Sequence, residues 1–260
     1  MRRFEGKVAL ITGAGQGIGY QIAESLVREG AYVIINDSNK QVAKCATERI
    51  DKLYPGRSVE VIGNASKLSV INELIGKALH TFGKLDLVVA NAGCTLFGNF
   101  FEYTEAQFDQ TMEVNLKGTF FLVQKAAKAM VEAGTGGRIV LMSSTLGLMA
   151  YPDLTAYSMT KAAIQMMAKS LVLDLACHDI TINTIAPGAT LTERTLKEEK
   201  DYEAYWSKLI PRKKTATTQD IANAALFLLA AEAAHITGQT LVVDGGWSSV
   251  GNNPNEAKGG

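Results

Sequence analysis

Cysteine, histidine and proline are sparse in this chain, and neither sign of charge dominates it. The three cysteines (Cys45, Cys94, Cys177) and three histidines (His80, His178, His235) lie far apart, with no Cys-x-x-Cys, no His-Glu-x-x-His and no metal-ligand spacing. A disulfide framework and a metal centre are therefore excluded as expectations, and a reducing, cytoplasmic setting fits. The 26 basic and 26 acidic residues cancel, so no basic field gathers nucleic acid and no polybasic segment seeks an anionic membrane. Long apolar runs are missing too. The greasiest stretch, Ile221 to Ala234, is broken by Asn223 and Glu232 and falls short of the ~20 apolar residues a span needs. Arg2 and Arg3 are followed by Glu5 and a glycine-bearing strand and turn, not by the apolar core of an export signal. These absences leave a soluble chain with a small-molecule function.

What the chain does contain is an alternation of short Val/Ile/Leu runs with longer helical patterns. Strands are predicted at Lys7 to Thr12, Tyr32 to Asn36, Ser58 to Ile62, Leu85 to Ala90, Arg138 to Ser143, Thr181 to Ile185 and Thr240 to Val243. Helices are predicted at Gly17 to Glu29, Ser38 to Leu53, Lys67 to Phe82, Thr104 to Ala133, Leu154 to Cys177 and Thr217 to Ala231. Continuous apolar strands between helices read as a parallel sheet covered on both faces. The expected fold is a single-domain, doubly wound α/β sheet of about seven strands, Rossmann-like. It should occupy residues 1–250 as one dinucleotide-binding and catalytic domain. The segment at about 188–216 exceeds an ordinary connection and is expected to be a substrate loop. The polar, glycine-rich 251–260 should be a disordered tail.

After the first strand comes Thr12-Gly13-Ala14-Gly15-Gln16-Gly17-Ile18-Gly19, opening into a helix. Glycines allow a tight turn and close approach of a pyrophosphate to free N–H groups at the helix N-terminus. Asp37 ends the second strand about 20 residues on, where a carboxylate can accept from the adenosine ribose hydroxyls. The other reading of Asp37 is an N-cap for the next helix. As a ribose ligand it also repels the extra phosphate of NADP, since unit charges ~4 Å apart at an effective dielectric of ~20 interact by up to ~4 kcal/mol. Asn36, Ser38 and Gln16 offer no cation to reverse this. NAD is the expected cofactor and NADP the lesser one.

The turn departs from Gly-x-Gly-x-x-Gly, because Ile18 holds the third glycine's place, and matches instead the Thr-Gly-x-x-x-Gly-x-Gly of the short-chain dehydrogenase/reductase family. The resemblance runs from Gly6 to Trp247 through Asn91-Ala92-Gly93, Asn115 with Gly118, Ser143-Ser144, Tyr157-x-x-x-Lys161, Pro187-Gly188 with Thr192, and Asp244-Gly245-Gly246. It implies a nicotinamide-dependent oxidoreductase acting on a secondary alcohol or carbonyl, similar to sugar and alcohol dehydrogenases. It also implies a homotetramer, with the long helices from Thr104 and Leu154 packing across a two-fold axis.

Tyr157 and Lys161 are four apart and share a helix face. A phenol near its ordinary pKa of ~10 is a poor base at neutrality, but an ammonium and a nicotinamide cation nearby favour its anion by ~1–3 units per close charge. Tyr157 is thus the expected acid/base. Ser144, thirteen residues before it as in the family, should bond the substrate oxygen, with Ser143 as the alternative. The family further implies that Asn115 holds a water linking Lys161 to solvent; the other reading is an asparagine satisfying a helix kink. Lys161 should also bond the nicotinamide ribose. The expected cofactor set is Gly13, Gln16, Gly17, Ile18, Gly19, Asp37, Asn64, Ala65, Asn91, Ala92, Gly93, Tyr157, Lys161, Pro187, Gly188, Thr190 and Thr192. Thr192 would meet the carboxamide, or serve as a helix cap. Asn64 stands where the family commonly has an aspartate for the adenine amino group, and its oxygen can still accept that bond. Cys94 reads as small core filler, or as a neighbour of the cofactor.

Leu146, Met149, Tyr151, Ala189, Thr190, Leu191 and Trp206 are candidate substrate-pocket residues. Two alternatives remain. One is a 3-oxoacyl carrier-protein reductase, which shares the catalytic residues but usually prefers NADPH and a basic site mouth. The other is a non-catalytic dinucleotide sensor, which would need Asp37 but not Ser144 or Tyr157.

Overall fold

A computed structural model describes residues 2–250; the expected tail at 251–260 lies outside the described residues. Seven parallel strands form the main sheet: β1 (Val8–Ile11), β2 (Tyr32–Asp37), β3 (Ser58–Ile62), β4 (Leu87–Ala90), β5 (Gly137–Met142), β6 (Ile180–Pro187) and, past two short strands described below, β9 (Thr240–Val243). Their order is β3-β2-β1-β4-β5-β6-β9, so the chain reverses direction across the sheet between β1 and β4. Helices α1 (Gly17–Arg28), α2 (Lys40–Leu53), α3 (Leu68–Phe82), α4 (Glu105–Met112), α5 (Gly118–Ala133), α6 (Thr155–Leu175) and, later, α9 (Thr218–Leu229) cover it. The single-domain doubly wound fold read from the sequence is the one found.

Strand periodicity explains the two cores. Successive β1 residues point to opposite faces, so Ala9 and Ile11 pack with Ile22 and Leu26 of α1 and Leu226 of α9. Val8 and Leu10 pack with Leu74 of α3, Leu122 of α5 and Ile164 of α6. Leu10 is completely buried, and truncating it to alanine would cost ~2–5 kcal/mol through the lost contacts and the cavity left behind.

Three expectations need correcting. The helix expected from Thr104 to Ala133 is α4 and α5 joined by a π-helical turn, Glu113–Lys117; the extra residue per turn carries Asn115 inward, where its side chain is bonded. The fourth strand begins at Leu87, not Leu85; the Asp86 backbone still donates to Val8 O at 2.9 Å and accepts from Arg138 N at 3.0 Å, while its carboxylate accepts from Val8 N at 2.8 Å and Lys7 Nζ at 3.2 Å. The segment from Pro187 to Thr217 is no open loop. It holds α7 (Glu193–Glu198), α8 (Tyr202–Leu209) and the short parallel pair β7 (Thr190–Leu191) and β8 (Ala216–Thr217).

Candidate active site

The glycine turn follows β1 at the C-terminal edge of the sheet, beside the β1/β4 reversal where α/β sheets bind ligands. Gly13 has φ +60°, and a Cβ there would stand 3.0 Å from Ala92 Cα. Only glycine fits both the left-handed backbone and that approach. Asn91 ties the two crossing loops together: its Nδ2 donates to Thr12 O at 3.0 Å and Gly13 O at 2.9 Å. Thr12 Oγ1 accepts from Asn91 N and Ala92 N, both at 3.1 Å. At the start of α1, Gln16 makes no side-chain capping bond and the first turn has no acidic residue. The helix therefore presents uncapped N–H groups and its positive dipole end to the cleft.

That cleft, about 560 Å³, is lined by every expected cofactor residue except Gly19. Gly19 packs behind it, against Gly13 O and Asn91 Nδ2. Asp37 borders the cleft and is not a helix cap. Asn39 caps α2, accepting from Gln41 N at 3.0 Å and Val42 N at 3.2 Å, while Asp37 Oδ2 accepts from Gly15 N at 3.2 Å and Oδ1 from Asn39 N at 2.9 Å. Asn64 Oδ1 already accepts from Ser66 N at 2.9 Å, which leaves it one lone pair. Thr192 caps α7 with a reciprocal Thr195 pair, so its hydroxyl serves the helix while its residue lines the cleft.

A second cavity of about 570 Å³ adjoins the first, and Ser144, Tyr157, Thr95 and Arg194 line both. Tyr157 on α6 has the side chains of Ser144 and Thr95 beside its phenol, where both favour the anion. One turn on, Lys161 is buried, with Nζ donating to Met142 O at 2.8 Å and lying 5.4 Å from the Tyr157 ring centroid. Burial pulls the Lys161 ammonium down to about 8, with Cys94 opposing and Arg194 adding to the fall. Burial pushes the Tyr157 phenol up; Ser144, Arg194 and Thr95 draw it back.

Ser143, the alternative to Ser144, also lines the first cavity, but its hydroxyl is engaged: it donates to Lys161 O at 2.8 Å and accepts from Gln165 Nε2 at 3.0 Å. Asn115 lies in the π turn. Its side chain is fully buried: Oδ1 accepts from Cys94 N at 2.8 Å, and Nδ2 donates to Cys94 O at 2.9 Å and Thr160 Oγ1 at 3.2 Å. The amide thus satisfies the helix kink, a place compatible with the relay role that the family implies. Cys94 is not core filler: it is half-buried at the cleft wall, with its thiol pushed up by burial.

Of the candidate pocket residues, Leu146, Tyr151, Ala189 and Trp206 line the second cavity. Thr190 lines the first, and Met149 and Leu191 line neither. Sequence reasoning missed Arg194, Tyr202, Tyr205 and Trp247 as pocket residues. The clue was composition: the chain has two tryptophans, and both are here. Among the described residues no His/Cys/Asp/Glu group could hold a metal, and no helix is long and apolar enough to cross a membrane.

Comparison with known proteins identifies the family. A family model described as enoyl-(acyl carrier protein) reductase matches residues 13–248. An L-rhamnose 1-dehydrogenase (NAD(P)(+)) of a Sphingomonas species is 36% identical over 250 residues, covering 95% of this chain and 98% of that protein. A NAD-dependent glycerol dehydrogenase of Listeria innocua is 33% identical, covering 93% and 94%. The crystal structure of a short-chain type dehydrogenase/reductase from Mycobacterium marinum superposes with a TM-score of 0.89 at 27% identity, covering 94% of this chain and 96% of that one. The chain belongs to the short-chain dehydrogenase/reductase family of oxidoreductases and is similar to its sugar and alcohol dehydrogenases.

Proposed function

We propose that the chain is a NAD-preferring dehydrogenase that interconverts a secondary alcohol, a sugar or polyol, and its carbonyl product. The observation that carries this reading is the placing of Ser144 and Tyr157 where the two cavities meet, with Lys161 buried one turn below. The first cavity suits a dinucleotide: the α1 N-terminus is uncapped toward it, and Asp37 and Tyr157 both line it. Bound there, NAD supplies the hydride acceptor. The glycine turn from Gly13 to Ile18 would hold the pyrophosphate, Asp37 the ribose, Asn64 and Ala65 the adenine side, and Asn91 to Gly93 with Pro187 to Thr192 the nicotinamide half.

Tyr157 takes the alcohol proton or returns it. Ser144 orients the substrate oxygen, and Lys161 bonds the ribose and holds positive charge beside the phenol. Asn115 acts as a positioning residue, fixing the Cys94 backbone that flanks Lys161. A carrier-protein reductase is less well supported, since Arg194 is the one basic residue lining the second cavity among the described residues. A dinucleotide sensor has no use for a Ser144–Tyr157 pair facing a second cavity. Three separated free thiols favour the cytoplasm. A homotetramer is supported by Met159, Met166 and Leu173, seven apart along the outer side of α6 and all exposed, and by Phe120 on α5.

The test is a panel of sugars, polyols, simple alcohols and ketones followed by nicotinamide absorbance, with Tyr157→Phe in parallel. Tyr157→Phe should lower kcat by ~100-fold or more with NAD binding nearly intact. Retention of more than about a tenth of the wild-type rate would reject Tyr157 as the acid/base.

A further inference from the structure

The two tryptophans, Trp206 and Trp247, face each other across one wall of the second cavity, with ring centroids 5.0 Å apart and planes at 86°. Tyr151 stacks on Trp206 at 5.9 Å and 27°, and Tyr205 meets its edge at 5.7 Å. These rings come from three separate segments: the loop after β5, α8, and the final turn. Each segment is pinned. Asp244 accepts from Gly246 N at 2.8 Å and Ser248 N at 2.7 Å, setting the turn that carries Trp247. Tyr151 and Tyr205 both pack on Trp206, and burial pushes the Tyr202 phenol up to about 12, the Thr190 backbone drawing it back. Rigid aromatic side chains cross-braced in this way form a surface that loses little freedom when a ligand settles on it.

The rest of the lining is of a different kind. Thr95, Ser144 and Tyr157 put hydroxyls at the reactive end, and Arg194 and Glu199 add one charge of each sign. A steroid or a flat aromatic alcohol would strip water from this polar end and offer few hydrogen bonds in return. An open-chain polyol satisfies them but has no fixed apolar face for the aromatic wall, and it must freeze several rotors to bind. A pyranose ring has both: a face of C–H groups and an edge of hydroxyls, already rigid.

We propose that this cavity selects ring-form sugars over open-chain polyols, and that Trp206 is the specificity-determining residue. The inference rests on the dehydrogenase reading for what becomes of the bound sugar, but its recognition step can be measured without turnover. Because both tryptophans line the cavity, the intrinsic fluorescence of the full chain without cofactor reports its occupancy directly. D-glucose and L-rhamnose would be titrated against their alditols, sorbitol and L-rhamnitol, with 1-phenylethanol as the flat aromatic probe. Each pyranose should bind at least ~10-fold more tightly than its alditol, or ~1.4 kcal/mol. Trp206→Leu, read through Trp247, should erase that preference while alditol binding stays the same, which also shows that the variant is folded. Equal binding of pyranose and alditol, or emission that responds to 1-phenylethanol alone, would overturn the proposal. Pyranose preference with no NADH formed from any alcohol would uphold the recognition and reject the dehydrogenase reading. NADH formed from alditols as efficiently as from pyranoses would do the reverse.

Discussion

Replacing Asp37 by alanine and Ser38 by arginine should raise the efficiency of NADP relative to that of NAD. Both Asp37 oxygens are held by backbone donors, Gly15 N at 3.2 Å and Asn39 N at 2.9 Å. A Cβ on Gly15 would stand 2.9 Å from Oδ2, so loop and carboxylate are packed against each other and the charge cannot swing aside for a phosphate. A 2′-phosphate on the ribose would sit within ~5 Å of it, where one pair of unit charges at an effective dielectric of ~20 repels by ~3 kcal/mol. Wild type should therefore favour NAD by at least ~100-fold in kcat/KM, which is ~2.7 kcal/mol. Asp37→Ala removes the repulsion together with the ribose bonds, so NAD efficiency falls and NADP efficiency rises. It also frees two backbone N–H groups, a stability loss of ~1–2 kcal/mol. Ser38→Arg adds a guanidinium suited to phosphate, and its gain should shrink between low and high salt as the contact is screened. The assay is steady-state kinetics with each cofactor at two ionic strengths. Equal use of both cofactors by wild type, or an Asp37→Ala ratio unchanged within about threefold, would refute the reasoning.

Three more outcomes follow from the site. Tyr157 must lose its proton to accept one from the alcohol, and burial pushes its phenol up, so oxidation should accelerate as pH rises and level off on the alkaline side; Arg194→Met, removing a cation that draws the phenol down, should move the rise to higher pH, and a profile flat from about pH 6 to 10 with chemistry rate-limiting would contradict this. Lys161→Met should abolish turnover yet raise the melting temperature at pH 7 by a few degrees, because a lysine pulled from 10.5 to about 8 opposes folding by ~3 kcal/mol, only partly offset by its bond to Met142 O. Light scattering at micromolar concentration should give the mass of a tetramer, and Met166→Glu on the outer stripe of α6 should lower it.

The sheet was legible because a parallel strand buried on both faces leaves an unbroken apolar run, such as Val8 to Ile11, and because glycine has few reasons to recur at Gly13, Gly17 and Gly19 except a tight turn into a helix. The π turn was not legible. Glu113–Lys117 has ordinary helix-compatible residues, and what bends it is Asn115 bonding to Cys94 and Thr160, residues 21 and 45 positions away. Helices α7 and α8, six and eight residues long, are too short for a periodic signal to stand out. Asp37 was found, but the local grammar that makes an acid after a strand look like a helix cap concealed that Asn39 already fills that place.

The hidden parts are also those that bring the two cavities together. Lys161 cannot be buried alone at low cost, since an isolated ammonium in an apolar setting loses its hydration. The fold meets that cost in part with one carbonyl, Met142 O at 2.8 Å, and sets Lys161 at the wall of the first cavity. Ser143 braces the same backbone by bonding Lys161 O, while its neighbour Ser144 accepts from Leu146 N at 3.1 Å and acts on the Tyr157 phenol. Adjacent serines of identical chemistry are thus put to different use: Ser143 is tied to Lys161 and Gln165 of α6, and Ser144 lines both cavities.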